Sequence, residues 1–340
     1  MSGEMKKILK IAAAVSAALL MAGLVRFMYM RAVYPEPMSP EKRAELLAQP
    51  VLRAENYGFD PASPLENRIG PPPVFLLNWL RTLDQRPGYK GYTPTPAQRR
   101  MIGGWFALMP GPMRAVLRER LIGVYLVDGF LGNGLSNMVL GHDGSRYAWV
   151  VLNTSGFSST LSETFTGREA SAFRGGGVSV DCGGVNEPPG VFYTFFHEMT
   201  HAYDYVQGIT PYVEREWEEL LRGFPPEKKR RWDVWAAYET PLKEHDSPLR
   251  GRISFYGIGG GPLLDGSEAP AIYAWLEKSP FTSLYGAQNW AEDAVELMVY
   301  NAVTDKLGRP CVIKYGAGGK FTPGPAAAAR AEALYNRLSR

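Results

Sequence analysis

Cysteine is almost missing from this chain, and so is histidine: there are two of the first and four of the second in 340 residues. Neither Cys182 nor Cys311 has a C-x-x-C neighbour, which excludes a zinc ribbon. In an oxidising compartment the two could join as one disulfide, and two unrelated buried thiols fit the sequence equally. An excess of either charge is missing too. With 37 Lys and Arg against 34 Asp and Glu the net charge is +3, too mild to imply a nucleic-acid partner. The one basic run, Lys228-Lys229-Arg230-Arg231, follows Pro225-Pro226 and reads as the solvated start of a helix. No internal repeat is visible, and the Gly257 to Gly261 stretch lacks the strand, spacing and Lys of a phosphate-binding loop. What remains is a globular composition long enough to bury a full core.

Residues 1–31 differ from everything after them. Lys6, Lys7 and Lys10 precede an uncharged stretch from Ile11 to Val25, followed by Arg26 and Arg31, and no small-x-small cleavage site follows the apolar part. This pattern reads as an uncleaved signal anchor, with removal as a secretion signal the alternative; flanking Lys10 and Arg26 can snorkel if the span extends across them. The flanking charges lean towards an inside amino end, so a single-pass membrane protein with its main part outside the cytoplasm is expected. Residues 32–73, rich in Pro and charge, read as a stalk or arm with one helix at Pro40 to Ala48.

From residue 74 to 340 the patterning predicts one α+β domain: a small mixed sheet packed on a mostly helical set. Helices are expected at Val74 to Leu83, Pro96 to Leu108 and Pro112 to Arg120, completing a lead-in over 74–120. Strands follow at Ile122 to Leu126, Ser136 to Leu140, Tyr147 to Leu152 and Val178 to Asp181, within a part spanning 121–207. The remainder, 208–340, is expected to be helical at Val213 to Leu221, Lys228 to Tyr238, Ala269 to Glu277, Asn289 to Asp305 and Gly324 to Ser339, with a strand at Pro310 to Tyr315.

The strongest chemical statement lies in Val191 to Gln207. Phe192, Phe195, Phe196, Met199, Ala202, Tyr203 and Val206 follow the rhythm of an amphipathic helix, started by Pro188-Pro189-Gly190 and stopped by Gly208. On its other side stands His197-Glu198-Met199-Thr200-His201. Residues four apart on a helix differ by about 40° around the axis, so both imidazoles can reach one metal ion, with Glu198 facing its open position. Shuffling this composition yields H-E-x-x-H in only about three chains per thousand. The plainer reading is two surface histidines on an amphipathic helix, or a satisfied pair under a loop.

Two imidazoles do not hold a catalytic zinc ion (Zn2+); a third protein ligand is needed. Glu214, Glu216, Glu218 and Glu219 read as a solvated face. Glu292 and Glu296, one turn apart on an otherwise apolar helix, are better candidates, since a carboxylate on a buried helix needs a cation or donors to meet it. Asn289-x-x-Glu292 also fits a capping box, in which Glu292 would only close the helix start and Glu296 could ligate instead. Asp204, one turn beyond His201, is a candidate to orient an imidazole or is a plain surface carboxylate. His142 and His245 have no spacing argument and are expected on surface or loop.

The paired blocks His197-Glu-x-x-His201 and Tyr285-Gly-x5-Glu292-x3-Glu296 resemble the lethal-factor-like metallopeptidases, the gluzincin group that includes the anthrax toxin protease and bacterial Pro-Pro endopeptidases. The likeness covers mainly residues 178–304. It implies a zincin-like fold, His197, His201 and Glu292 as zinc ligands, Glu198 as general base and Tyr285 as the proton-donating tyrosine, with Glu296 matching the second carboxylate. The gap between the blocks is long, which suggests an inserted helical pair near residues 211–240.

The function expected is a membrane-anchored, extracytoplasmic zinc metallopeptidase with a peptide or protein substrate and no nucleic-acid partner. Glu198 would take a proton from the attacking water and pass it to the leaving amine. The strand Tyr147 to Leu152 is either the sheet edge on which an extended peptide lies or a plain core strand. The rival readings are an inactive or structural zinc-binding envelope protein using the same cleft for partner binding, and a zinc amidase acting on wall peptides.

Overall fold

The computed structural model describes residues 39–183, 186–223, 231–257 and 260–340. The expected anchor at 1–31 and most of the basic run at 228–231 lie outside them. Among the described residues no helix is long and apolar enough to cross a membrane.

The fold is α+β. In chain order the helices are α1 (Pro40–Leu47), α2 (Val74–Leu83), α3 (Pro96–Trp105), α4 (Gly111–Arg120), α5 (Leu161–Ser171), α6 (Val191–Gln207), α7 (Arg215–Arg222), α8 (Ala269–Lys278), α9 (Trp290–Asn301) and α10 (Pro325–Leu338). The strands are β1 (Ile69–Gly70), β2 (Lys90–Gly91), β3 (Leu121–Asp128), β4 (Gly134–Leu140), β5 (Arg146–Asn153), β6 (Phe173–Arg174), β7 (Val178–Asp181), β8 (Trp235–Ala237), β9 (Thr240–Pro241), β10 (Leu264–Asp265), β11 (Val312–Tyr315) and β12 (Gly319–Phe321). Two compact units result. Among the described residues the smaller takes 39–46 and 215–223; within it Arg43 donates to the carbonyls of Leu220 and Leu221. The larger takes the described residues of 47–214 and 231–340.

The main sheet of the larger unit runs β1-β3-β5-β4, with β2 also pairing β3. β3 and β5 are parallel, whereas β4 is antiparallel to β5 and forms an edge. Tyr147 to Leu152 therefore belongs to a core strand, hydrogen-bonded on both sides, and the edge is Gly134–Leu140. The near-continuous apolar run of β5 agrees with this, since a strand flanked and covered on both faces has no polar side to show.

The segment expected as a stalk is, from Pro50 onward, part of the larger unit. Val51, Leu52, Leu65 and Ile69 are buried, and β1 adds to the sheet beside β3. Prolines here punctuate short turns, and the apolar residues between them find the sheet; Arg68 also donates to the Leu121 carbonyl at 2.6 Å. A second difference falls after residue 230. The helix expected over Lys228 to Tyr238 is replaced, in its described part, by the β8–β9 hairpin, with a tight Trp232–Trp235 turn and Asp233 at φ 48°. Trp235 is fully buried with its Nε1 donating to Asp293 at 2.8 Å, a tertiary demand that overrides weak helical preference. Among its described residues the inserted element is one helix, α7, and the β8–β9 hairpin, not a helical pair.

One helix has no counterpart in the sequence reading. α5 begins with a reciprocal cap in which Thr160 Oγ1 accepts from Glu163 N and Glu163 accepts from Thr160 N. It packs on β7, which joins β11 and β12 in a second, antiparallel sheet.

α6 lies against β4 and β5 on one side and α9 on another. Its phenylalanines meet Trp105 and Phe106, with Phe192 and Phe195 ring centres 5.3 and 5.4 Å from Trp105. Every residue from Val191 to Tyr205 is buried, so the histidine side is no solvent face: it is the seam between sheet and helices. Gly208 ends the helix at φ 80°, a left-handed turn that a side chain would strain.

Cys182 and Cys311 form a disulfide that joins the end of β7 to the start of β11 across 129 residues. Cross-linking so long a loop removes much freedom from the unfolded chain. Replacing both cysteines by serine is expected to lower unfolding free energy by about 2–5 kcal/mol, read by urea denaturation with oxidation state checked by mass. An unchanged midpoint would show that the bridge contributes nothing to stability.

Candidate metal centre

Three side chains from two helices converge in the seam between α6 and α9. His197 Nε2 lies 3.3 Å and His201 Nε2 3.5 Å from Glu292 Oε2, and one ligand atom from each residue lies within 4.8 Å of the others. Helix geometry accounts for the pair: residues 197 and 201 stack one turn apart on one face of α6. Glu292 reaches them because Asn289 Oδ1 accepts from Glu292 N at 3.0 Å and starts α9 at that point. The return bond of a capping box is not formed; the Glu292 carboxylate turns to the histidines instead.

Glu292 Oε2 is a buried oxygen with no hydrogen bond, although two ring nitrogens stand within ion-pair distance. Two imidazoles and a carboxylate oxygen that approach one another without hydrogen-bond alignment suit a shared metal ion, and two nitrogens with one oxygen is a donor set used by catalytic zinc. The residues present therefore fit a metal ion.

Glu296, one turn on, faces the other side of His197. Its Oε1 lies 3.3 Å from His197 Nδ1 and accepts from Tyr193 Oη at 3.1 Å; its Oε2 accepts from Arg168 Nη1 at 2.8 Å and Ser283 Oγ at 2.7 Å. A proton on His197 Nδ1 is thereby favoured, which leaves the Nε2 lone pair for the centre. Asp204 takes no part in this: it accepts from Ile209 N, Thr210 N at 2.9 Å and Thr210 Oγ1 at 2.6 Å, tying down the loop after α6. It is buried rather than a surface carboxylate, and His201 Nδ1 has no hydrogen-bond partner among the described residues.

Electrostatics separate the three glutamates. Burial raises the pKa of Glu198, against the pull of His197 and His201. Burial also pushes Glu292 up, but His201 and His197 outweigh it and hold this carboxyl far below its usual range. For Glu296 the same opposition is won by Arg168, His197 and Ser283, giving a value of about 2. Burial pushes His197 down, yet the carboxylates of Glu292 and Glu296 at its two nitrogens raise it to about 10. Tyr285 stands beside the pair, its ring centre 5.7 Å from that of His197 and 4.9 Å from Phe255. The charge of Glu292, then burial, drives its pKa well up, so the phenol keeps its proton. His142 is exposed beside Glu55, and His245 sits in a short surface turn; neither joins the centre.

Arg168, Tyr193 and Ser283 escape the sequence reading. The Thr160-x-x-Glu163 cap signalled the helix that carries Arg168, and Tyr193 stands one turn before His197 on the same face. Ser283 had no local signal. Gly134 is a further one: a Cβ there would sit 2.8 Å from Glu198 Cγ and 2.5 Å from Thr194 Cγ2, so only glycine lets the edge strand press against α6 at the glutamate.

Comparison with known protein families, curated proteins and solved structures finds no match for this chain.

Two outcomes test this geometry. Gly134→Ala must push Glu198 or the strand aside and is expected to lower stability by about 1–3 kcal/mol, read by thermal unfolding; an unchanged melting point would show that the contact is loose. In protein stripped of metal by a chelator, His197 stabilises the fold fully below its ordinary pKa of 6.5, and this contribution fades as pH rises towards 10. Glu296 stabilises above its ordinary 4.5 and ceases to as pH falls through about 2. The stability difference between wild type and His197→Asn should therefore peak between those ordinary values and shrink at alkaline pH; growth of that difference above neutrality would contradict it.

Proposed function

We propose that this chain is a zinc metallopeptidase of the gluzincin type, with His197, His201 and Glu292 as ligands, by analogy with the lethal-factor-like enzymes that its two motif blocks resemble. The observation that carries the reading is the meeting of two Nε2 atoms and one unbonded carboxylate oxygen from two helices, Val191–Gln207 and Trp290–Asn301, far apart in the chain. Bound zinc would supply a Lewis acid that makes water acidic near neutral pH and polarises a carbonyl.

The protein's own groups complete the chemistry. Glu198 follows His197 on α6 with a pKa raised by burial, which suits a base that accepts the proton of the attacking water and returns it to the leaving amine. Tyr285, kept protonated, is an available donor for the oxyanion that develops on the scissile carbonyl. β4 pairs β5 along its length and is bridged by Arg53 only at its Leu140 end, while its Gly134 end presses on Glu198, so the edge near Gly134 offers backbone groups to an extended peptide beside the base. The Cys182–Cys311 disulfide supports an extracytoplasmic domain, held by the amino-terminal segment as a membrane anchor or released by its cleavage.

The test uses the full chain and a panel of proline-rich and casein-like peptides, with metal content measured in parallel. Glu198→Gln is expected to lower hydrolysis by about 10²–10⁴ with metal retained. Glu292→Ala should lose the metal; Glu296→Ala should keep it with affinity weakened about 10–100-fold. Stoichiometric zinc without cleavage of any peptide would favour the structural or partner-binding role, and cleavage confined to wall peptides the amidase. Loss of metal in Glu296→Ala but not Glu292→Ala would overturn the ligand assignment.

A further inference from the structure

We propose that Arg168 is a positioning residue of this centre: through Glu296, Tyr193 and the ring of Tyr285 it sets the orientation of the His197 imidazole and of the phenol. The inference rests on the peptidase reading for its kinetic part only.

Arg168 comes from α5, outside both motif helices, and is buried. Its Nη1 donates to Glu296 Oε2 at 2.8 Å and to Tyr193 Oη at 3.0 Å. Those are the two residues whose oxygens stand 3.3 Å from His197 Nδ1. Its other edge is spent separately, with Nε and Nη2 donating to Glu169 Oε1 at 3.2 and 3.0 Å, while Tyr273 holds Glu169 Oε2 at 2.8 Å. Glu169 alone would thus neutralise a buried guanidinium. The second carboxylate is not needed to neutralise Arg168, and it stands beside the His197 ring.

The flat face of the guanidinium is also in use. Its centre is 5.1 Å from the Tyr193 ring centre and 5.6 Å from that of Tyr285. One planar cation therefore meets the carboxylate that orients a ligand and the tyrosine placed to donate to the oxyanion. A lysine carries the charge but has neither the fork to span Glu169, Glu296 and Tyr193 nor a face for the rings. Ser283 closes the arrangement: its Oγ donates to Glu296 Oε2 and accepts from Gly286 N at 2.9 Å, so the turn bearing Tyr285 is tied to the same oxygen as Arg168.

The experiment compares full-length wild type, Arg168→Lys, Glu296→Gln and the double variant. Zinc dissociation constants come from chelator competition, kcat and KM from peptide hydrolysis, and the His197 ring protonation pattern from ¹⁵N–¹H spectra of chelated protein. Arg168→Lys is expected to weaken zinc binding and kcat about 10–100-fold, as partners behind metal ligands do, with KM little changed and the Nδ1 proton signal of His197 broadened or lost. Because both act along one path, the double variant should be no worse than Glu296→Gln alone. If Arg168→Lys does not fold, Arg168→Gln with Glu296→Gln, which removes one buried charge of each sign, takes its place and should match Glu296→Gln. A melting point that falls while zinc affinity, kcat and ring spectrum stay at wild-type values would overturn the proposal, as would losses that multiply in the double variant. If wild type binds zinc but cleaves nothing, the peptidase reading fails, while affinity and ring spectra still judge Arg168.

Discussion

Negative charge must be met in the seam between α6 and α9, and the rest of the centre follows from how that is done. Glu296 is buried and Glu292 nearly so, one turn apart on a helix otherwise made of apolar residues. An uncompensated carboxylate in such surroundings would cost several kcal/mol or give up its charge. Glu296 is satisfied on both oxygens, by Arg168 and Ser283 on one and by Tyr193 and His197 on the other. Glu292 has only the two histidine nitrogens, neither aligned to donate to its buried oxygen. A cation shared with those nitrogens would meet the charge that the described donors leave open at Glu292 Oε2.

Environment rather than identity divides the labour among the glutamates. Glu198, Glu292 and Glu296 are chemically the same side chain, yet burial outweighs the pull of the imidazoles and lifts the first, while imidazoles and a guanidinium outweigh burial and lower the other two. One carboxyl held above its usual range and two held below it thus coexist within one small volume. The phenol of Tyr285, beside Glu292 and buried, keeps its proton.

The scaffold holds this arrangement from behind. α9 is fixed on its far side by Asp293, which accepts from Arg330 and Trp235, so the helix that offers Glu292 and Glu296 is clamped to α10 and the β8–β9 hairpin. α6 is pressed against β4 and β5 by its phenylalanines, and the disulfide joins the two strands that flank the chain segment containing both motif helices. Sites carried on packed helices keep their geometry better than sites on loops.

Local patterns were readable wherever chemistry and packing repeat along the chain. The 3.6-residue rhythm marked α6 and its stop at Gly208, H-E-x-x-H marked two imidazoles on one face, and a carboxylate pair on an apolar helix announced its need for a cation or donors. What the residues could not decide alone depends on partners distant in sequence: which glutamate faces the histidines, that the cysteines pair, that the Pro-rich stretch from Pro50 packs on the sheet, and that β4 rather than β5 is the edge. Asp204 shows the limit, since its three acceptor bonds go to a loop five and six residues on, which spacing on a helix cannot foresee. Arg168 shows it more sharply. A cap motif could place it on a helix, but only the tertiary fold brings that helix within 2.8 Å of a carboxylate 128 residues away, because burial, not local propensity, chooses which charges must meet.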